Sequence, residues 1–420
     1  MKAHTLLLRN LGTFGCAAAL AAGTFTLPGC SGIKGGAATS SGGGSSSTGN
    51  SLAIAVNTGP AMNNINIPLA SVTICVPGTS NCQTITDVLV DTGSVGLRIL
   101  GTEVTIPIVT ATDTNGNPLG ECVRFADGSF LWGSVSTADI TLAGEKASAV
   151  PIQVVLTTGS VGFPLVPNTC SDTGTLADHG NVSALHANGI LGVGLFKQDC
   201  GAACVTTPPA NFYYDAGAAC VQTSCALIAV PLVNQLQNPV SLFAKDNNGV
   251  LVSLPSVAAT GAATASGSLI FGIGTQSNNG LGSAKVYTTD SFGFFTATYN
   301  SVSYPQSFID SGSNGYFFLD AATASLTACT VDVDFYCPTS STNFTVTNTG
   351  NNGTSAPVMF SIFSIETLLT TNPSFTAFSN VGGPFASAFD YGLPFFYGRS
   401  VFVGITGQTS PGGTGPYFAY

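Results

Sequence analysis

Charged residues are scarce in this chain of 420 residues, since Asp, Glu, Lys and Arg together make up only 7% of it. An average globular protein has about a quarter. Ten basic residues face twenty acidic ones, and the net charge of −10 argues against a nucleic-acid-binding protein, which needs clustered Lys and Arg. Gly, Ser, Thr and Asn take the place of the missing charges, and they favour strands, turns and loops over helices.

Histidine is also scarce, and only His179 and His186 lie beyond the N-terminal segment. Two histidines leave few ligands for a metal site and few bases for a serine hydrolase. The sequence has no Gly-x-Ser-x-Gly elbow either, which argues further against a Ser-His-Asp hydrolase. Beyond the N-terminal segment, no apolar run is long enough to predict a membrane-spanning helix.

The N-terminal segment, residues 1–30, is typical of an export signal, because Lys2 and Arg9 accompany an alanine-rich apolar stretch. It ends in Leu-Pro-Gly-Cys, which resembles the lipobox of bacterial lipoproteins and makes Cys30 the predicted lipidation site. The alternative is an ordinary signal peptide cleaved nearby. Residues 31–50 are rich in Gly and Ser and predict a flexible tether. We therefore expect an exported protein of the cell envelope, lipid-anchored to a bacterial membrane and facing the periplasm or the exterior.

Ten cysteines remain beyond the predicted signal, and an even number in an exported chain predicts up to five disulfides. Two pairs close local loops, four clustered cysteines pair among themselves, and two distant cysteines are left for each other. The expected sets are Cys75 with Cys82, Cys329 with Cys337, the cluster Cys200, Cys204, Cys220 and Cys225, and Cys122 with Cys170. Zinc bound by the cluster is the alternative, but the cluster lacks paired C-x-x-C spacing.

Short apolar or β-branched runs, separated by Asn-Gly and Asp-Gly turns, predict a mainly β protein. The predicted strands include residues 53–56, 74–76, 88–90, 140–142, 152–156, 269–271, 294–299, 344–346 and 401–405. Three segments, 230–236, 321–328 and 362–370, are predicted to form short helices.

One tetrapeptide pattern, Asp-Thr/Ser-Gly-Ser, occurs once in each half of the chain. The two copies are Asp91-Thr92-Gly93-Ser94 and Asp310-Ser311-Gly312-Ser313. Each follows an apolar run and precedes an apolar pair that ends in glycine, Ile190-Leu191-Gly192 and Phe396-Tyr397-Gly398 respectively. The duplication predicts two lobes, residues 51–235 and 236–420, each supplying one carboxylate to a shared site. Two carboxylates held together can share one proton and activate water.

With these motifs, residues 53–405 resemble the pepsin-like aspartic proteases, especially plant and fungal members with an Asp-Ser-Gly second motif. Residues 125–129, Phe-Ala-Asp-Gly-Ser, resemble the flap hairpin of that family, and residues 188–194 and 267–272 resemble two of its strands. The resemblance implies a mainly β, bilobal fold with the active site between two related lobes. The export signal and tether suggest a bacterial lipoprotein branch of this fold, whose relatives have no assigned function.

The resemblance also implies a role for each residue of the two tetrapeptides. Asp91 and Asp310 would be catalytic, while Ser94 and Ser313 would hold the carboxylates. Thr92 and Ser311 would grip the backbone of the opposite lobe, Gly93 and Gly312 would allow a tight loop, and Gly192 and Gly398 would cross behind the loops. Turn residues facing solvent are the alternative for the hydroxyls.

The predicted flap departs from the family pattern. Phe125 stands where the family has Tyr, and Arg98 stands where many relatives have the Trp that bonds that Tyr, so we expect a rebuilt flap around Asp127 and Gly128. Trp132 is a candidate to cover the cleft instead, and the alternative is an aromatic residue of the core.

These features predict an exported aspartic endopeptidase that acts on polypeptides as a monomer, without a metal or cofactor. Water would be the nucleophile, activated by the two aspartates. The alternative function is a non-catalytic module that uses the pepsin fold to bind a protein or a cell-wall glycan.

Overall fold

The computed structural model of the chain describes residues 49–156, 163–206 and 212–420. The predicted export signal, the lipidation site Cys30 and most of the predicted tether lie outside the described residues. Within the described residues, no helix is both long enough and apolar enough to cross a membrane.

Strands dominate the described residues, as the sequence predicts. The first fourteen are β1 (Ser51–Val56), β2 (Pro68–Cys75), β3 (Cys82–Asp91), β4 (Val95–Leu100), β5 (Val109–Thr110), β6 (Leu119–Arg124), β7 (Ser129–Leu142), β8 (Glu145–Val155), β9 (Ala177–Asp178), β10 (Gly189–Val193), β11 (Tyr213–Asp215), β12 (Gly249–Ser253), β13 (Ala265–Phe271) and β14 (Val286–Thr288). The others are β15 (Phe295–Tyr299), β16 (Val302–Ile309), β17 (Tyr316–Leu319), β18 (Thr342–Thr349), β19 (Ser355–Ile362), β20 (Gly382–Gly383), β21 (Phe385–Tyr391), β22 (Ser400–Gly404), β23 (Thr409–Ser410), β24 (Gly413–Thr414) and β25 (Tyr417–Ala419). Each of the nine strands predicted above overlaps one of these.

Helices in the described residues are short. The α-helices are α1 (Asn168–Ser171), α2 (Val182–Leu185), α3 (Ala203–Thr206), α4 (Ala321–Ala324) and α5 (Ile365–Thr371), and 3₁₀ turns occupy Gly101–Glu103, Leu232–Asn234, Pro239–Leu242 and Leu393–Phe396. Two of the three predicted helices are therefore confirmed in shortened form, as α4 and α5. The third prediction is wrong, because the segment 230–236 contains Pro231 and forms only a 3₁₀ turn.

Two large sheets organise the fold. One sheet of 16 strands follows the order β11-β6-β7-β8-β4-β10-β3-β2-β1-β13-β12-β22-β25-β14, with β5 and β9 attached to β7. The second sheet has seven strands in the order β19-β18-β15-β16-β21-β17-β20 and comes entirely from the second half of the chain. Strand β1 joins the halves, because it pairs with β2 on one side and with β13 on the other. The chain therefore has the predicted mainly β, bilobal architecture.

Each half has a strand that leads into a buried aspartate, with a parallel strand beside it. In the first half, β3 runs into Asp91, and β10 lies parallel to it with Gly192 beside Asp91. In the second half, β16 runs into Asp310, and β21 lies parallel to it with Tyr391 beside Ile309. Since the same strand arrangement occurs twice, it places two equivalent loops at the edges of the two lobes.

Disulfides pair all ten cysteines of the described residues, and every predicted set is confirmed. The pairs are Cys75–Cys82, Cys122–Cys170, Cys200–Cys204, Cys220–Cys225 and Cys329–Cys337. The four clustered cysteines are therefore disulfide-bonded rather than zinc-binding. Glu366 lies with Cys329 and Cys337 so that ligand atoms of the three fall within 4.8 Å of one another. The sulfurs of that group are already joined to each other and are not thiolates, which are the form that binds a metal.

Candidate active site

The two tetrapeptide loops hold each other through reciprocal hydrogen bonds. The backbone N–H of Thr92 donates to Ser311 Oγ (3.1 Å), and the backbone N–H of Ser311 donates to Thr92 Oγ1 (2.9 Å). Ser311 Oγ donates in turn to the carbonyl oxygen of Val90 on β3 (2.8 Å). Both hydroxyl-bearing residues are buried. The alternative that they are turn residues facing solvent is therefore wrong, and they lock the loops of the two lobes together.

The carboxyl groups of Asp91 and Asp310 meet between these loops and hydrogen-bond to each other. Each also accepts bonds from its own loop. Gly93 N–H donates to Asp91 Oδ1 (2.8 Å) and Gly312 N–H donates to Asp310 Oδ1 (2.8 Å). The hydroxyls of Ser94 and Ser313 donate to Oδ2 of Asp91 and Asp310 respectively. The six tetrapeptide residues proposed as support thus all surround the carboxyl pair.

A tight approach of the loops explains the glycines. A Cβ atom on Gly93 would lie 2.5 Å from Cγ of Asp310, so a side chain there would displace the opposite carboxyl group. A Cβ atom on Gly192 would lie 2.7 Å from the backbone of Val95. Glycine is the residue that permits this spacing.

Burial raises the pKa of both aspartates, because each side chain has no exposed surface. The neighbouring charges differ between the two. The negative charges of Asp91 and Asp390 raise the pKa of Asp310 further, whereas hydrogen bonds with Asp310, Ser94 and Gly93, and to a smaller extent the positive charge of Arg98, offset part of the rise in the pKa of Asp91. These surroundings favour the protonated form more strongly at Asp310 than at Asp91.

A cleft with a volume of about 1160 Å³ lies over the loops. Thr92 and Gly93 of the first loop and Phe308 and Ile309 beside the second loop form part of its wall. Phenylalanine is the most frequent of the other lining residues, with Phe125, Phe196, Phe212, Phe292, Phe294, Phe385 and Phe418. The two aspartates lie behind this wall and contribute no surface to the cleft.

The predicted flap is a hairpin of β6 and β7 at the edge of the cleft. Phe125 N–H donates to Ser129 O (2.8 Å), and Gly128 N–H donates back to Phe125 O (3.1 Å). Asp127 Oδ1 accepts from Ser129 N–H (2.8 Å), and Gly128 has a φ of +86°, which suits glycine. Phe125 and Ala126 line the cleft, while Asp127 and Gly128 form the turn.

Trp132 does not cover the cleft, so that prediction is wrong. Its ring lies 5.3 Å from Tyr214 and 5.7 Å from Phe163, centroid to centroid, and its Nε1–H donates to Pro164 O (3.1 Å). It is buried in an apolar cluster with the Cys122–Cys170 disulfide. The reason is its strand register, since Trp132 pairs with Cys122 across the flap hairpin. The alternative of a core aromatic is confirmed.

Arg98 belongs to a buried ionic cluster that its sequence position does not reveal. Its Nη2 lies 2.8 Å from Glu121 Oε1 and 3.5 Å from Asp199 Oδ2, and its Nη1 donates to Val95 O (2.7 Å). Tyr213 donates its hydroxyl to Asp199 Oδ1 (2.7 Å). Burial opposes the charge of Arg98, but Glu121 and Asp199 outweigh it and raise the pKa of the guanidinium.

Two carboxylates share the single cation of that cluster, so burial and the charge of Glu121 raise the pKa of Asp199 well above its usual range. Asp199 also lines the cleft, and Arg98 acts on the charge of Asp91. Arg98, at the position where many relatives have a flap-bonding Trp, therefore has carboxylate partners instead of a flap residue.

The glycine behind the second loop is Gly392, not Gly398. A Cβ atom on Gly392 would lie 2.2 Å from Gly315 O and 2.5 Å from Ser313 O, whereas one on Gly398 would meet Ser256 Oγ at 2.5 Å, away from the loop. The prediction failed because Asp390 interrupts the apolar pair that normally marks this glycine. Sequence reasoning missed Asp390 as well as Gly392, since a carboxylate is not expected at a buried strand position.

The chain thus has a mainly β, bilobal fold, in which β1 joins the two lobes and two interlocked Asp-Thr/Ser-Gly-Ser loops hold one carboxyl pair. The chain belongs to the family described as "Protein of unknown function (DUF3443)", whose model matches residues 46–420. Among solved structures it is similar to the crystal structure of an aspartic proteinase from Irpex lacteus, at 14% sequence identity and a TM-score of 0.48. That similarity covers 88% of this chain and 96% of the other. A search of the curated proteins gives no match.

Proposed function

We propose that the protein is an aspartic endopeptidase, exported and anchored to a bacterial membrane by lipid on Cys30, that acts on polypeptides. The carboxyl pair of Asp91 and Asp310 carries this proposal. The two groups hydrogen-bond to each other, and each accepts further bonds from a glycine N–H and a serine hydroxyl. Five disulfides are consistent with an oxidising location outside the cytoplasm.

The asymmetry of the pair suggests a role for each carboxyl group. Asp91, whose pKa is raised less than that of Asp310, is the partner that accepts a proton from the attacking water. Asp310, whose pKa is raised by burial and by two neighbouring carboxylates, donates a hydrogen bond to the carbonyl oxygen of the scissile peptide. Water adds to the carbonyl carbon and gives one proton to Asp91. The C–N bond then breaks as that proton passes to the amide nitrogen, and the products are a carboxylic acid and an amine. The two groups titrate as a coupled pair.

The cleft supports an extended polypeptide as the substrate. Its phenylalanine side chains offer an apolar surface on both sides of the loops, which suits apolar side chains next to the cleaved bond. The flap residues Phe125 and Ala126 border the same space. We propose that the substrate lies under the flap and across the two interlocked loops.

A non-catalytic module that binds a protein or a cell-wall glycan is the second candidate. Two observations favour it. Asp91 and Asp310 contribute no surface to the cleft, so that water and substrate reach them only if the cleft wall moves. Phe125 also lacks the hydroxyl that the flap Tyr of the pepsin-like family provides.

Casein digestion from acid to mildly alkaline pH separates the two candidates. Wild type, Asp91→Asn and Asp310→Asn are compared without residues 1–30, with Asp172→Asn, an exposed carboxylate, as the matched control. We expect cleavage by wild type and the control, strongest in acid, and a loss of at least about a hundredfold in both dyad variants. A statine-containing peptide should block cleavage, and a metal chelator should not. No cleavage by folded wild type, or equal cleavage by all four proteins, would contradict the proposal.

A further inference from the structure

A third carboxylate, Asp390, lies directly behind the carboxyl pair. It sits on β21 opposite Phe308 of β16, at the position where the first half of the chain has Ile190 opposite Leu89 of β3. Its exposed fraction is 1%, and it replaces an apolar side chain in an otherwise repeated arrangement. A buried carboxylate is costly, so its presence at the equivalent of an isoleucine calls for a physical explanation.

Ser313 connects Asp390 to the pair. Its Oγ lies 2.9 Å from Asp310 Oδ2 and 2.7 Å from Asp390 Oδ2. A serine hydroxyl has one proton, so it can donate to only one of these oxygens at a time. When Asp390 takes the bond, Asp310 Oδ2 loses a donor, and the loss makes the charged form of Asp310 less favourable relative to its protonated form.

The serine hydroxyls of the two loops differ in the number of carboxylates that they contact. In the first loop Ser94 donates to Asp91, and no other hydrogen bond of its hydroxyl is seen within the described part of the chain. The charge near the loops is equally uneven. Arg98 acts on Asp91, while Asp390 adds a negative charge on the side of Asp310. The two tetrapeptides therefore have neighbouring charges of opposite sign, Arg98 near the first and Asp390 near the second.

Other titratable groups on the neighbouring strands do not change this picture. Tyr304 on β16, Tyr316 on β17 and Tyr391 on β21 all have a pKa that burial raises further above neutrality. They stay uncharged in the acid and neutral range. Arg399, beyond β21, lies over the ring of Phe395 and bonds to its carbonyl oxygen (2.7 Å). The charges that act on Asp310 are therefore chiefly those of Asp91 and Asp390.

We propose that Asp390 is a positioning residue of this site, which competes with Asp310 for the one proton of the Ser313 hydroxyl and keeps the shared proton on Asp310 up to a higher pH. This inference rests on the proposed peptidase function. Its consequence is an active range that reaches further towards neutral pH, because the reaction needs exactly one proton on the pair. Asp390 itself does not touch the substrate.

The first test is the pH profile of kcat/KM for Asp390→Asn, an isosteric change that removes the charge. The asparagine amide can donate to Ser313 Oγ, which frees the hydroxyl proton for Asp310. We expect the alkaline limb of the profile to move towards acid by about one pH unit or more, with acid activity retained. Asp139→Asn is the matched control, because it makes the same change at another buried carboxylate in the first lobe. A purely structural role would lower activity at all pH values and leave the limb in place.

A second readout does not depend on catalysis. The carboxyl carbons of protein labelled with ¹³C-aspartate are titrated by NMR, and Asp310→Asn assigns the resonance of Asp310. In Asp390→Asn, we expect that resonance to titrate at lower pH than in wild type. If no protein cleaves peptides but the resonance shifts, the peptidase proposal fails and the role of Asp390 stands. An unchanged midpoint, or one at higher pH, in folded Asp390→Asn would overturn the inference.

Discussion

His179 should make the protein sensitive to acid. It follows β9 directly, its backbone N–H donates to Phe130 O on the flap strand (3.0 Å), and only 2% of the residue is exposed. Burial, reinforced by the nearby His186, lowers its pKa from 6.5 to about 4. The ring is therefore neutral in the folded protein under conditions in which an unfolded chain would carry the charge.

The direction of the effect follows from proton binding. As pH falls below 6.5, the unfolded histidine takes up a proton that the folded one resists, so stability is lost until the folded pKa of about 4 is reached. A difference of 2.5 pKa units (6.5 − 4), with half-protonation of the folded form at the lower limit, corresponds to about 3 kcal/mol. This loss is specific to the pH interval and is small at neutral pH.

The perturbation is His179→Asn, which removes the titrating ring. Urea unfolding of wild type and variant, with disulfides intact, is measured at neutral pH and near the folded pKa. We expect the fall in the free energy of unfolding between the two conditions to be smaller in the variant by about 3 kcal/mol. The stability of the variant at neutral pH does not matter, since only the difference between conditions is compared. An equal fall in both proteins would refute the reasoning.

Two further substitutions test the packing behind the site. Gly392→Ala should destabilise the protein by on the order of 3 kcal/mol and abolish cleavage, because its Cβ would lie 2.2 Å from Gly315 O. Stability is measured by thermal unfolding. The control is Gly280→Ala, since no atom lies within 4 Å of the Cβ that it adds. Arg98→Met should lower the free energy of unfolding, measured in urea, by about 3–5 kcal/mol, because two carboxyl groups lose their cation. Adding Glu121→Gln should restore part of that free energy. No recovery would contradict the ionic explanation.

The sequence predicted the parts of the site that are local. The two tetrapeptides, the flap turn and four of the five disulfides depend on short spacings, and the fifth, Cys122–Cys170, was the pair left over. Contacts between residues far apart in the sequence could not be predicted in this way. Arg98 finds its partners Glu121 and Asp199 at separations of 23 and 101 residues, and no spacing rule links them. Asp390 concealed the glycine two residues after it, because pattern reasoning expects an apolar side chain in a buried strand.

The pairing of β1 has a consequence for how the protein folds. Its first residue, Ser51, lies beside Ile270 of β13, and the carboxyl pair likewise joins residues from opposite halves of the chain. Contacts this far apart in sequence slow folding, since a long loop must close before they form. Until β13 is in place, β1 has one open edge, and an unpaired edge invites association with other chains. The first half of the chain thus needs the second not only for Asp310, the other carboxyl group of the pair, but also to complete its own sheet.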